Sequence, residues 1–249
     1  MIKVGVVGAT GRTGRHAIEA LRGGAEYGLH GAIVSPESSK IGSVVEGTSV
    51  SYSGTLQALA GSDLVIEFSV PEASVEVVRW CAGANIPVLV ATTGHSDAQL
   101  AAIRSYAEQI PIAITPNTSV GAAALSMLAA HAKRILGPSF DIEVMEIHHK
   151  MKKDAPSGTA RAVISAVEEG SPVVFGREGK REAGEIGVVS LRGGDVSGDH
   201  TVYFLGHGER IEISHRVSTR EVFGRGAVTM ALRLLGRAPG LYAPRDLLG

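Results

Sequence analysis

The sequence predicts an α/β protein: a doubly wound parallel sheet joined to a smaller α+β domain whose sheet is mixed or antiparallel. Three observations carry this. First, β-branched apolar runs recur at 2–7 (IKVGVV), 29–34 (LHGAIV), 63–68 (DLVIEF), 87–92 (PVLVAT) and 111–115 (PIAIT). Continuous runs of this kind suit strands buried on both faces. Second, helix-like segments separate most of them, and strand–helix alternation builds parallel sheets. Third, the alternation stops after Ser119, and three strand-like runs with short connections follow.

Taken in order, IKVGVV leads directly into GATGRTG, with a helix expected from about Thr13 to Leu21. TLQALAG, PEASVEVVRWCAGA and SDAQLAAIRSYAEQ supply the next helical segments. The proline of SVPEAS and the Ser-Asp of GHSDAQ stand where helix starts favour them. VGAAALSMLAAHAKRIL then reads as a long helix, FDIEVMEIHH as a strand, and TARAVISAVEEG as a helix opened by the Pro-Ser-Gly turn. IGVVSLRGG, HTVYFLGH and ERIEISHRV are expected as antiparallel neighbours, because short connections cannot make parallel crossovers. RGAVTMALRLLG returns to helix. The expected division is a dinucleotide-binding domain over 1–119, completed by 221–249, and a substrate-binding and oligomerisation domain over 120–220.

The chain has 249 residues, 44% hydrophobic and 20% charged, and a formal net charge of −1. With no global positive field, neither nucleic acid nor an anionic membrane is an expected partner. The single cysteine, Cys81, rules out an internal disulfide and suits a reducing compartment. MIKVGVVGATGRTG lacks a secretory layout, and no window reaches the roughly 20 apolar residues of a membrane span. A cytoplasmic location is expected.

Gly8, Gly11 and Gly14 form G-x-x-G-x-x-G. The motif directly follows a buried strand and opens a helix. There, glycines allow a tight turn and let main-chain N–H groups approach a pyrophosphate at the positive end of the helix. The plain alternative is an ordinary βα turn. An NAD site would favour a carboxylate at the end of the second strand. Ser35 stands there, with Glu37 slightly late and no arginine to meet a 2′-phosphate, so NADH and NADPH both stay open. Two small polar loops, ATTGHS (91–96) and TPNTSVG (115–121), fall at predicted strand ends and suit a flat nicotinamide ring. Helix capping by Ser96 and Ser119 is their alternative role.

The run EIHHKMKKDAPSGTA (146–160) is denser in chemistry. On a strand, His148 and His149 would point to opposite faces, so a shared metal is not expected, and three lysines would repel a cation. Ser157, Gly158 and Thr159 open a helix, where free N–H groups, hydroxyls and the dipole converge on a point suited to a carboxylate or phosphate. Beside it stand lysines and a histidine able to exchange protons near neutral pH. The remaining histidines, including His95, His200 and His215, read as structural or surface residues, with His95 alone close to a predicted nicotinamide loop.

HHKMKKDAPSGTA resembles the signature H-H-x-x-K-x-D-x-P-S-G-T-A of the dihydrodipicolinate (4-hydroxy-tetrahydrodipicolinate) reductases of bacterial lysine biosynthesis. GATGRTGR, IEFSVPEAS, ATTG, PNTSVG, LRGGDVSGDHTVYF, GERIEISHR and GLYAPRDLLG extend the resemblance over nearly the whole chain. It implies a Rossmann-like first domain and reduction of a cyclic imine dicarboxylate by NADH or NADPH. By the motif, His148 matches the family's catalytic acid/base and Lys152 its proton donor. His149, Ser157, Gly158 and Thr159 match substrate-binding positions. Gly8, Ala9, Thr10, Gly11, Arg12, Thr13, Ser35, Ala91, Thr92, Thr93, Thr115, Pro116, Asn117 and Thr118 match the cofactor side. A homotetramer built through the second domain's sheet is also implied. Three departures, Ala91 for glycine, Thr118 for phenylalanine and Ser35 for an acid, all bear on the cofactor. The alternatives are another NAD(P)-dependent amino-acid or imine dehydrogenase of this architecture, or a non-catalytic dinucleotide-binding protein.

Overall fold

The computed structural model describes residues 1–168 and 170–249. In chain order the first elements are β1 (Ile2–Val7), α1 (Arg12–Arg22), β2 (Tyr27–Ile33), β3 (Tyr52–Ser53), β4 (Leu64–Glu67), α2 (Pro71–Gly83), β5 (Val88–Val90), α3 (Asp97–Ser105) and β6 (Pro111–Ile114). Then come α4 (Val120–Leu136), β7 (Asp141–His148), α5 (Gly158–Val167), β8 (Val173–Phe175), β9 (Ile186–Arg192), β10 (Asp199–Leu205) and β11 (Arg210–Arg216). α6 (Glu221–Leu232), β12 (Gly240–Tyr242) and α7 (Pro244–Leu248) complete the chain. The helix expected over TARAVISAVEEG ends at Val167, and Glu169 within that run lies outside the described residues. TLQALAG forms only a short 3-10 turn, Leu56–Leu59. The chain divides into two compact units, Met1–Val120 with Glu221–Gly249, and Gly121–Arg220.

The first unit is built on a seven-stranded sheet in the order β12-β6-β5-β4-β1-β2-β3, every pair parallel. Read from β3, this is the 3-2-1-4-5-6 order of dinucleotide folds with one strand added, and the order reverses at β1. Alternation along β1 sends Val4 and Val6 into a core with Ala17, Ile18 and Leu21 of α1 and Ala227, Met230 and Ala231 of α6. Val7 enters the opposite core with Val77 and Val78 of α2 and Ile103 of α3. Both faces are therefore covered, which is why the strands read as unbroken apolar runs. Gly224 sets the approach of α6 to α1: a Cβ there would lie 2.4 Å from the His16 carbonyl carbon. Cys81 is buried in the α2 face, and its thiol is pushed up to about 12 by burial and then by Glu67, so it is neither exposed nor nucleophilic.

The second unit is built on a five-stranded sheet in the order β11-β10-β7-β9-β8. Here the sequence-based expectation needs correction. β10 and β11 are antiparallel neighbours, but β9 is not beside β10; it runs parallel to β7 and to β8. The chain between β7 and β9 contains α5, which supplies the crossover length a parallel pair needs, and β7 takes the centre. The inner face buries Ile142, Val144, Val188, Val202 and Phe204 under Leu125 and Ala129 of α4 and Val163 and Ile164 of α5. The outer face carries Met145 and Ile147 beside Val189 and Leu191, and the latter two are 41% and 44% exposed.

Candidate active site

The inner face of the second sheet changes character at one end. After Ile142 and Val144, β7 places Glu146 and then His148 on the same face, two residues apart. Strand register brings His200 of β10 and Ser190 of β9 opposite Glu146, sets His215 of β11 opposite His200, and pairs Arg192 with His148. Short-range features of the sequence do not announce this polar row, because its members lie up to 69 residues apart (His215 less Glu146). Neither Glu146, Arg192, His200 nor His215 was among the expected site residues, and only the pairing of strands could assemble them.

Glu146 has no solvent exposure and is fully satisfied. Its carboxylate accepts from His148 Nδ1 at 2.5 Å, from both Arg192 Nη atoms at 2.8 Å and from the Ser157 N–H at 3.2 Å. Burial opposes its charge, but hydrogen bonds from Arg192, Ser190 and His148 prevail and lower its pKa to about 2. For His148 the balance runs the other way. Burial lowers the imidazole below the usual histidine range, Glu146 pulls against this, and Lys152 and Arg192 add to the lowering. His148 is thus neutral at pH 7. A carboxylate can only accept, so Nδ1 carries the hydrogen and Nε2 presents a lone pair. Gly198 leaves room beside it: a Cβ there would sit 2.9 Å from Nε2.

Ser157 caps α5, its hydroxyl accepting from the Ala160 N–H at 3.1 Å and standing 2.8 Å from His200 Nε2. His200 meets His148 edge-on at 5.1 Å between ring centroids. Burial, then the neighbouring His148, lower its pKa to about 4, so it too is neutral. Gly158 is exposed at the helix start, and Thr159 is buried behind it. His149 leaves the strand, with its N–H bonded to Val196 O at 2.8 Å. Lys152 is half-buried, its Nζ resting 2.9 Å from Asp154 Oδ1. The residues expected to bind substrate and move protons are therefore assembled around one end of one sheet.

In the first unit the expected cofactor residues gather at the C-terminal ends of parallel strands. Gly8 adopts φ +75, and a Cβ there would lie 2.5 Å from the Phe68 carbonyl oxygen. A Cβ on Gly14 would lie 2.2 Å from Gly8 O, so helix α1 can start this close only with glycine. Gly11 caps α1 with no side-chain bond, and the first turn holds no acid, leaving its N–H groups and Arg12 available to an anion. Buried Glu67 ties the neighbouring loop together, accepting from Thr92 Oγ1 at 2.9 Å, Ser74 Oγ at 2.8 Å and the Ser69 N–H at 2.5 Å. Thr92 and Thr118 spend their hydroxyls inward, Thr118 on Phe223 O at 2.7 Å, and Thr115 donates to Asn117 O at 3.0 Å. Three of the four threonines in these loops thus turn their hydroxyls to the protein, and Thr93 alone is exposed. Just after β2 the hydroxyl of Ser35 donates to Glu37, which ties the late carboxylate to the expected position. Ala9 is buried, while Thr93 and Pro116 are exposed.

A parallel sheet with a glycine turn at its switch point, and a second unit carrying a neutral imidazole beside an anion-ready helix start, define an oxidoreductase that works with a pyridine nucleotide. The chain belongs to the dihydrodipicolinate reductase family: the model of that family's N-terminus matches residues 2–118 and the model of its C-terminus residues 121–248. It is 39% identical over 264 residues to the 4-hydroxy-tetrahydrodipicolinate reductase of Thiobacillus denitrificans, covering 100% of this chain and 98% of that one. It is 40% identical over 266 residues to the enzyme of the same name from Myxococcus xanthus, at 100% and 98% coverage. In fold it is similar to a dipicolinate-bound dihydrodipicolinate reductase from Paenisporosarcina sp. TG-14, with TM-score 0.79, 23% identity and coverage of 98% and 97%. A probable dehydrogenase from Thermotoga maritima gives TM-score 0.68 at 15% identity, over 99% and 92%.

Proposed function

We propose that this protein performs the reaction its relatives are named for, reducing 4-hydroxy-tetrahydrodipicolinate to tetrahydrodipicolinate with a reduced pyridine nucleotide, in the cytoplasmic route to diaminopimelate and lysine. The observation that carries the reading is the cluster of His148, Lys152 and the Ser157–Thr159 helix start on Glu146 and Arg192. The helix start and Lys152 suit the substrate's carboxylates. His148 Nε2, kept bare by Glu146, takes a proton from the ring carbon next to the one bearing the hydroxyl. The hydroxyl leaves as water with a proton from Lys152, which gives a conjugated imine. A reduced nicotinamide, when bound, would supply the hydride for the carbon the hydroxyl left. The protonated His148 then returns its proton to the adjacent carbon, where negative charge has built up, and Lys152 regains its own from solvent.

The first unit is assigned to the nucleotide and the second to the substrate. The glycine cradle fits a pyrophosphate: Gly8 and Gly14 have no room for a Cβ, and the Gly11 cap leaves main-chain donors exposed. Ala9, Thr10, Arg12 and Thr13 line the same turn, and Ala91–Thr93 with Thr115–Thr118 offer backbone to the nicotinamide. The Glu37 carboxylate on Ser35 would accept from a ribose 2′-hydroxyl and repel a 2′-phosphate, which favours NADH. The outer sheet face, with Val189 and Leu191 uncovered, supports a homotetramer built there. The test is steady-state kinetics at 340 nm with freshly generated substrate and NADH or NADPH in turn. Turnover with this imine but not with keto acids or other imines is expected. Nucleotide binding without turnover would overturn the assignment.

A further inference from the structure

We propose that Glu146 and Arg192 are a positioning pair: one clamped carboxylate holds His148 by Nδ1 and the substrate turn by the Ser157 N–H, so that the proton-transfer group and the anion site form a single rigid piece. The inference deepens the reading of His148 as the acid–base residue and rests on it.

The geometry is specific. Each carboxylate oxygen of Glu146 takes one Arg192 nitrogen and one group that it positions: Oε2 takes Arg192 Nη1 and His148 Nδ1, and Oε1 takes Arg192 Nη2 and Ser157 N. Arg192 reaches further, with Nη2 donating to Asp154 O and Nη1 to Leu191 O, both at 2.7 Å. Asp154 is the residue on which Lys152 rests. The 154–157 stretch is therefore pinned at both ends, at Asp154 by the guanidinium and at Ser157 by the carboxylate. His148, Lys152 and Ser157 are all fixed through one ion pair. A two-pronged arginine–carboxylate contact fixes direction as well as distance, which a lysine could not do. A merely structural ion pair would have no need to end on the imidazole. Here the carboxylate also selects the ring tautomer, and the bare Nε2 faces the space beside Gly198.

The charged and titratable groups that face His148 are Glu146 on its own strand, Arg192 on β9, His200 on β10 and Lys152 on the following loop. The acid raises its affinity for a proton and the cations lower it. The two members of the pair thus act on His148 with opposite sign, which gives the inference a signature that loss of packing cannot imitate.

The experiment uses the full-length chain. Ring-nitrogen NMR follows His148 through a pH titration without substrate or nucleotide, in the wild type, Glu146→Gln and Arg192→Gln. In the wild type the Nδ1–H tautomer is expected. Glu146→Gln should mix the tautomers and move the titration down by about one unit, and Arg192→Gln should move it up by a smaller amount. The acid limb of kcat against pH should follow in the same two directions, with kcat at neutral pH reduced about tenfold or more in both. If Glu146→Gln does not fold, the upward shift in Arg192→Gln carries the test. Unchanged tautomer and titration in a folded variant, or shifts of the same sign in both, would overturn the pairing. Opposite shifts with kcat unaltered would uphold the pair and overturn instead the role of His148 in proton transfer.

Discussion

In the first unit the groups proposed to face a nucleotide are main-chain amides, held in place by what is missing: side chains at Gly8 and Gly14, and a capping side chain at Gly11. In the second unit the working groups are side chains, held by a charge with no solvent exposure, Glu146, and the strands on either side of it. The first design depends on close backbone approach and tolerates many sequences elsewhere. The second depends on several donors converging on one buried carboxylate, so that removing that carboxylate leaves buried polar groups unpaired.

The difference can be broken from either side. The largest effect is expected in the second unit: His148→Ala or Lys152→Ala should lower kcat by about 10² or more, with nucleotide affinity nearly unchanged. Stopped-flow binding and steady-state rates separate the two quantities, and a loss below fivefold in both variants would remove them from the chemistry.

Next is the first unit's cradle. Gly8→Ala forces a Cβ onto Phe68 O at a positive φ, at a cost of about 1–3 kcal/mol. Nucleotide affinity should weaken about tenfold and the melting temperature should fall by about 5 °C. An unaltered dissociation constant by calorimetry would mean that this turn does not hold the pyrophosphate. A change confined to cofactor choice, with no loss of stability, is expected at Glu37→Ser, which should lower the NADH-to-NADPH ratio of kcat/KM by about tenfold, since only one ribose contact is altered. A ratio that does not move would place cofactor choice elsewhere.

The smallest effect concerns stability against pH. His200 has a folded pKa of about 4, below the ordinary histidine value of 6.5. The unfolded chain therefore binds more protons between those values, and stability falls as pH drops from about 6.5 towards 4. Glu146, depressed to about 2 from 4.5, adds stability above its unfolded value that is lost at still lower pH. Calorimetric melting at pH 7 and pH 5 should show a wild-type drop exceeding that of His200→Asn by about 2 °C. Equal drops would mean that His200 is not held neutral.

The two units also differ in how readily the sequence reveals them. The β1–glycine turn–α1 unit is contiguous, so its chemistry is visible in VGVVGATGRTG, and the HHKMKKDAPSGTA run is equally local. Glu37 was visible as a carboxylate one or two residues late, but its bond back to Ser35 was not, because residue-by-residue counting does not show a turn. The position of β9 was misjudged because a short connection does not oblige two consecutive strands to be neighbours, and β7 comes between β9 and β10.

From the sequence alone came the residue types of both sites, the parallel first sheet and the motif that marks the family, because each is encoded within a few consecutive residues or a period of the chain. Only tertiary structure decided which carboxylate aligns His148, which cation clamps it and which histidines stand beside it. Those choices depend on strand register between segments about 45 to 70 residues apart, and no local pattern reports register.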